Sequence, residues 1–277
     1  MPDPRTILIT GASSGIGHDA AHTLARRGWR VLATVRTQQD RARLAAEGLE
    51  VLILDYADPA SIAAAMDGVA EATGGRLDAL FNNGAYAIPG PLEDVPAEAM
   101  RAIFEANFIG WHDLTTRAIR LMRARGQGRI VNNSSVLGLV GAKWRGAYVA
   151  SKFAVEGWSD CLRMEMAGTG IDVVLIEPGP IDTPFRQNAI RQFERWIDWE
   201  RSARADEYRA HLLDKLYAGS GDNPMQKPAS AVTDVLIRAL EARRPRPRYF
   251  VTVPTRIAAI ARRVLPARAL DRLLARS

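Results

Sequence analysis

Residues 5–26 read RTILITGASSGIGHDAAHTLAR. A short apolar run, Arg5–Thr10, passes into a turn holding Gly11, Ser13, Ser14, Gly15, Ile16 and Gly17, and then into a helical pattern. An apolar run that does not alternate with polar residues suits a strand covered on both faces. A glycine-rich strand-to-helix turn lets backbone N–H groups approach a phosphate, and the helix N-terminus adds partial positive charge. The literal G-x-G-x-x-A string, Gly15 to Ala20, falls late in the turn, so the whole T-G-x-x-x-G-x-G pattern, Thr10 to Gly17, is the better guide. The stretch predicts the first strand, anion-binding turn and helix of a dinucleotide-binding unit. A purely structural turn is the alternative.

Similar runs recur at Arg30–Val35, Glu50–Leu54, Ala79–Asn82, Arg129–Asn133 and Asp172–Glu177, with a last one at Arg248–Val253. Helical patterns such as His18–Arg27 and Pro59–Ala72 separate them. Strands alternating with helices imply right-handed crossovers and a Rossmann-like, doubly wound parallel α/β sheet of about seven strands. No repeat or linker divides residues 1–277, so a single domain is expected. Residues 185–228 break the rhythm. They are charged and carry Phe193, Trp196, Trp199 and Tyr208, the pattern of a helical lid over a substrate.

The net charge of +6 is uneven: residues 243–277 hold ten Arg against one Asp, which leaves −3 for the rest of the chain. Nucleic-acid binding by the body is therefore not expected. The single cysteine, Cys161, excludes an internal disulfide and is expected to be a buried filler. The four histidines are read as carrying no metal-ligand spacing, so no metal site is expected. With no secretory signal and no long apolar run, the expected location is cytoplasmic.

Three further features carry chemistry. The second strand ends at Arg36 with no acid placed to bind a ribose 2′-hydroxyl, and a guanidinium there could hold a 2′-phosphate. This favours NADP(H), with NAD(H) as the alternative; a solvated surface arginine is the plainer reading. Asp55, beside Tyr56 after the third strand, either accepts a hydrogen bond from an adenine amine or caps the next helix, a role for which Asp58 competes. Tyr148 and Lys152 lie four apart, on one helical face, with Ser135 thirteen residues upstream of the tyrosine. An ammonium beside a phenol lowers its pKa toward the working range, so Tyr148 could exchange a proton with a carbonyl or alcohol oxygen that Ser135 holds.

With these motifs in order, the sequence resembles the short-chain dehydrogenase/reductase family over nearly its whole length. The resemblance implies a catalytic tetrad of Asn107, Ser135, Tyr148 and Lys152. Lys152 would also hold the nicotinamide ribose, and Asn107 a water that links Lys152 to solvent. The family's N-N-A-G element corresponds to Asn82-Asn83-Gly84-Ala85, with the last two residues exchanged. Its P-G-x-x-x-T is Pro178 to Thr183, so that Pro178, Gly179, Ile181 and Thr183 border the nicotinamide. The segments after Asn82 and before Phe185 are similar to the NADP-using retinol, steroid and aldehyde reductases. That implies hydride transfer between NADP(H) and an apolar carbonyl or alcohol, and assembly as a homodimer or homotetramer. Val136, Leu137, Leu139, Val140 and Trp144 suggest a greasy pocket, with core or subunit interface as the alternative. A catalytically silent sensor or scaffold of the same fold is the rival function.

The C-terminal segment, 255–277, places Ile257, Ile260, Ala261, Val264 and Leu265 on one helical stripe, followed by Leu270, Leu273 and Leu274. Arg256, Arg262, Arg263, Arg268, Arg272 and Arg276 supply its polar side. The stripe is expected to pack on the body or on a second subunit. Peripheral contact with an anionic membrane is the alternative.

Overall fold

A computed structural model describes residues 4–218 and 224–275. Residues 219–223 of the expected lid, and Arg276 and Ser277 of the expected C-terminal segment, lie outside the described residues. Seven parallel strands form the central sheet in the order β3-β2-β1-β4-β5-β6-β9. They are β1 (Thr6–Ile9), β2 (Arg30–Val35), β3 (Glu50–Ile53), β4 (Ala79–Asn82), β5 (Gly128–Asn133), β6 (Ile171–Glu177) and β9 (Arg248–Phe250). Two further short strands, β7 (Ile181–Asp182) and β8 (Lys227–Pro228), pair with each other.

Strand side chains alternate between two apolar layers because successive residues point to opposite faces. Ile7, Ile9, Val31, Ala33, Phe81 and Val174 pack with α1 (Gly15–Arg26), α2 (Gln38–Ala46) and α10 (Ser230–Glu241). Leu8, Leu32, Leu80, Ile130 and Leu175 pack with α3 (Pro59–Thr73), α5 (Gly110–Arg125) and α6 (Gly146–Glu165). Both faces are thus covered, which is why the strands carry unbroken apolar runs. A third apolar cluster lies beyond the strand ends. It joins α4 (Ala97–Phe104) and Tyr148 to the segment that follows β7.

That segment contains α7 (Phe185–Trp196), the short pieces α8 (Ala205–Glu207) and α9 (Leu213–Tyr217), and a π-helical turn at Tyr208–Leu212. Tyr208 anchors it. Its ring packs against Trp144, Phe193 and Trp199 at centroid distances of 5.4, 6.1 and 6.2 Å. Its hydroxyl donates to Asp94 Oδ2 at 2.8 Å. The β7–β8 pairing brackets residues 185–226, so the segment leaves and returns at one place.

The C-terminal region departs from expectation. The last strand ends at Phe250, and Val253 opens α11 (Val253–Val264), whose first turn accommodates Pro254. The helix packs on the body through Thr255, Ala259 and Ala261, all buried. Arg262 donates to the Leu139 carbonyl at 2.6 Å and lies 4.7 Å from the Phe153 ring centre. The larger apolar stripe faces water instead, with Ile257, Ile260 and Val264 at 56%, 62% and 69% exposure. The expectation that this stripe packs on the body is thus corrected: the close approach to the body leaves room only for small side chains. The following α12 (Ala267–Leu274) buries no residue. Cys161, expected inside, is exposed on the outer face of α6.

Arg248 ties β9 to the centre. Its guanidinium bonds Glu156, Glu177 Oε1 at 2.8 Å and Asp160 Oδ2 at 2.7 Å. Burial pushes the Glu156 and Glu177 carboxyls up, Glu177 to about 8 with the charge of Glu156 adding to the effect. Removing one partner of a buried ion pair costs about 3–5 kcal/mol. Arg248→Met is therefore expected to lose about that much unfolding free energy at pH 9. A carboxyl with a raised folded-state pKa contributes stability that is present at low pH and lost as pH rises. The loss in Arg248→Met should accordingly shrink at pH 6, where the carboxyls take up protons. Urea unfolding of both proteins at the two pH values checks this.

Candidate active site

The strand order reverses between β1 and β4, and crevices at such points bind ligands in open α/β sheets. Here the crevice widens into a cleft of about 1490 Å³. Gly11, Ser13, Ser14, Gly15, Ile16, Arg36, Asp55, Tyr56, Gly84, Ser135, Tyr148, Lys152, Pro178, Gly179, Ile181 and Thr183 all line it. Gly17, Asn82 and Asn107 are buried and lie behind its walls, although the sequence reading had placed them at the site.

The turn from β1 to α1 is shaped by close backbone approach. Gly11 and Gly15 have φ of 63° and 57°, a region that favours glycine. A Cβ on Gly17 would lie 2.3 Å from the Gly11 carbonyl oxygen, and one on Gly11 would lie 2.8 Å from Gly84 Cα. The exchanged Gly84-Ala85 order therefore keeps the smaller residue where contact is tightest. Ser14, at the N-cap, makes no side-chain capping bond, and the first turn of α1 holds no acid. Open N–H groups without a competing carboxylate suit a phosphate. Thr183 packs against this turn, 3.0 Å from where a Gly15 Cβ would be.

Below the cleft runs a buried polar network. Asn82 Nδ2 donates to Thr115 Oγ1 and Asn132 Oδ1, both at 2.9 Å, and Asn132 Nδ2 donates to Ser159 Oγ at 2.9 Å. Asn83, which the sequence reading passed over, donates to the Thr10 carbonyl at 3.1 Å and accepts from Asn133 at 2.9 Å. The Tyr56 hydroxyl lies 2.8 Å from Thr10 Oγ1 and 3.0 Å from Asn82 Oδ1, so it locks β1 to β4.

Ser135 precedes a 3₁₀ turn, Val136–Gly138, and its Oγ accepts from the Leu137 N–H at 3.1 Å. Tyr148 and Lys152 share the inner face of α6, and both are buried. Lys152 Nζ donates to the Asn133 carbonyl at 2.8 Å and lies 4.5 Å from the Trp111 ring centre and 5.7 Å from that of Tyr148. Asn107 sits in a π-helical turn, Glu105–Ile109, between α4 and α5. Its amide donates to the Tyr86 carbonyl at 2.9 Å and Ser151 Oγ at 3.1 Å. Such a one-residue irregularity often marks a functional position, and a helical period carries no signal for it.

Burial opposes both charged forms. It pushes the Tyr148 phenol up to about 12, against the opposing effects of the Ser135 hydrogen bond and the Arg145 charge. It draws the Lys152 ammonium down to about 7, with Glu156 opposing. The expected lowering of the tyrosine by Lys152 is thus absent in this geometry, because desolvation dominates and Nζ turns to the Asn133 carbonyl.

Arg36 is exposed at the end of β2, with no carboxylate partner among the described residues. Asp55 Oδ1 accepts from the Ala57 N–H at 3.0 Å, while Asp58 caps α3. Asp55 is therefore left on the cleft wall and is not the helix cap. Of the five residues expected to make a greasy pocket, Val136 and Leu137 line the cleft. Val140 is buried, Trp144 packs on Tyr208, and the Leu139 carbonyl holds Arg262. Trp144 adopts a φ of 64°, uncommon for a bulky residue, and the Gly90 N–H fixes its carbonyl at 2.8 Å. The segment after β7 turns Phe185, Arg186, Gln187, Asn188, Arg191 and Gln192 toward the cleft, a more polar wall than expected.

One sequence signal was missed. His18 and His22 stand four residues apart on α1, so the histidines do carry a metal-ligand spacing, and Glu47 lies between them.

The family model for short chain dehydrogenases matches residues 5–194. The "Uncharacterized oxidoreductase YbbO" of Escherichia coli (strain K12) is 37% identical, over 98% of this chain and 94% of that protein. Human 17-beta-hydroxysteroid dehydrogenase type 1 is 34% identical, over 89% of this chain and 77% of its own. Mouse retinol dehydrogenase 16 is 33% identical, over 97% and 87%. A short chain dehydrogenase/reductase of Burkholderia phymatum, solved in complex with NAD, superposes with a TM-score of 0.78 at 26% identity, covering 98% of this chain and 95% of that one. Fold, cleft and relatives agree: the chain belongs to the short-chain dehydrogenase/reductase family and is an NAD(P)-dependent oxidoreductase.

Proposed function

We propose that the protein reduces the carbonyl group of an apolar aldehyde, ketone, retinoid or steroid-like substrate with NADPH, and catalyses the reverse oxidation of the alcohol. The observation that carries this reading is the convergence of Ser135, Tyr148 and Lys152 on one wall of the cleft. The nicotinamide cofactor supplies the hydride when bound. Ser135 holds the substrate oxygen, and Tyr148 gives that oxygen its proton. Lys152 holds the cofactor ribose and Asn107 steadies the Tyr86 and Ser151 groups behind it. The glycine turn takes the phosphates, Asp55 the adenine side, and Pro178–Thr183 the nicotinamide end. Residues 185–228 act as the lid, and the names of the steroid and retinol dehydrogenases it resembles support the substrate class. Oxidation of NADPH with medium-chain aldehydes and retinal tests the reading. No turnover across that panel favours the silent scaffold.

The exposed stripe on α11 and α12 fits an anionic lipid surface. Its apolar residues Val253, Ile257, Ile260, Val264 and Leu273 are flanked by Arg256, Arg263, Arg268 and Arg272, with Asp271 as the one acid of these two helices. Two copies meeting through this face would set arginines against arginines, whereas lipid phosphates would neutralise them. Assembly as a homodimer or homotetramer is assigned to other faces, in line with the family resemblance.

Tyr148→Phe is expected to keep NADPH binding and lose about 10²–10⁴-fold in kcat, as fits removal of a general acid. Lys152→Ala should weaken NADPH binding as well as turnover; fluorescence titration beside steady-state assays separates the two variants. Arg36→Ala is expected to weaken NADPH by about 10–150-fold, the worth of one charge-assisted contact, and to leave NADH nearly unchanged. Equal weakening of both cofactors would make Arg36 structural.

In sedimentation with vesicles, the protein is expected to pellet with phosphatidylserine-containing membranes at low salt and not with neutral ones. Replacing Ile257, Ile260 and Val264 with Gln should abolish this. If the substitutions instead dissolve a dimer, the stripe is a subunit contact.

A further inference from the structure

His18 and His22 lie one turn apart on α1, and Glu47, which follows α2, comes between them. Glu47 Oε2 is 3.0 Å from His18 Nε2 and 2.7 Å from His22 Nε2. The two rings are 4.5 Å apart and tilted by 55°, and one donor atom from each of the three residues falls within 4.8 Å of the others. Arg43 holds the other carboxylate oxygen, Oε1, at 3.0 Å, and is itself fixed by Asp40 and the Ser13 carbonyl. The arginine thus orients the carboxylate and leaves Oε2 to the histidines. Three donors, two from α1 and one from the residue that follows α2, converge on one small volume.

We propose that His18, His22 and Glu47 bind one borderline d-block dication, Zn²⁺ in the first instance, which clamps the end of α2 to α1.

Two imidazoles and one carboxylate suit zinc, whose ligands sit about 2.0–2.2 Å from the ion. Mg²⁺ and Ca²⁺ prefer all-oxygen sets, so the histidines select against them. The side chains are 35%, 23% and 32% exposed, which lets the ion enter from solvent and leaves a fourth position for water. None of the three lines the cleft, so the ion takes no part in hydride transfer. Its place is structural: α1 carries the proposed phosphate-binding turn at its start, and α2 follows β2 and the adjoining Arg36. The bound ion would stiffen the frame around the adenosine end of the cofactor site.

The test uses tag-free, full-length protein, because the chain's own histidines number four. Zn²⁺ is titrated by calorimetry and by competition with a chromophoric chelator. One equivalent is expected to bind and to raise the melting temperature, with excess Mg²⁺ having no effect. His22→Gln and Glu47→Gln should each weaken binding by at least the roughly tenfold that loss of an outer-sphere partner already costs. His112→Gln should leave binding unchanged. NADPH affinity without zinc, measured on each variant, verifies that the fold is intact. The proposal is overturned by absence of stoichiometric binding, or by undiminished binding in His22→Gln and Glu47→Gln proteins that still bind NADPH.

Discussion

Where β1 turns into α1, the backbone of Gly11 meets two other pieces of backbone at once. A side chain on Gly17 would strike the Gly11 carbonyl, and one on Gly11 would strike Gly84. This double contact fixes the helix against the strand and the strand against the loop after β4. From it follow the height of the turn and the position of the crevice where strand order reverses. The aim of the free N–H groups at the start of α1 follows too. A methyl group at Gly17 would separate elements that every other part of the site takes as fixed.

The second requirement is electrostatic. Lys152 is buried, and its ammonium has one carbonyl, that of Asn133, and one ring face, that of Trp111, in place of water. Asn133 is itself held by Asn83, and Asn83 by the backbone of the glycine turn. The lysine is thereby connected to the glycine turn at the other end of the cleft through the amides of Asn133 and Asn83. These bonds tie the lysine, the strand β5 and the glycine turn into one connected floor, in which Asn133 Oδ1 alone of these groups is left without a partner. The tyrosine shares the burial but loses its charge, and phenol and ammonium come to lie side by side with opposite pKa displacements.

The strands were legible because a sheet covered on both faces demands unbroken apolar runs, and Arg30–Val35 and Ala79–Asn82 match their predicted limits. The glycine turn was legible because close approach admits few residues. Tyr148, Lys152 and Ser135 were legible through spacing and came together in the cleft. What lay beyond reach depended on contacts distant in sequence. The exposure of Ile257, Ile260 and Val264 depends on α11 meeting the loop after Ser135 through its small residues. The role of Trp144 as a support for Tyr208 rests on a partner 64 residues further along, in the segment after β7. Asn107 could be placed only by resemblance, since nothing local announces a π-helical turn. The His18–His22 spacing was visible but overlooked, and its meaning came only when Glu47 was brought beside it.

The pairing of Arg248 with Glu156 spans 92 residues, and that order matters as the chain is made. Synthesis delivers α6, with Tyr148 and Lys152, and then β6, before β9 exists. Until Arg248 emerges, Glu156 and Glu177 lack the guanidinium that bonds them, and docking α6 against β6 would bury two acidic groups without their partner. The packing of α6, with Tyr148 and Lys152, against β6 is thus completed by a residue of the last strand. The wall of the cleft that α6 supplies therefore depends on a contact made by residues far along the chain, at β9.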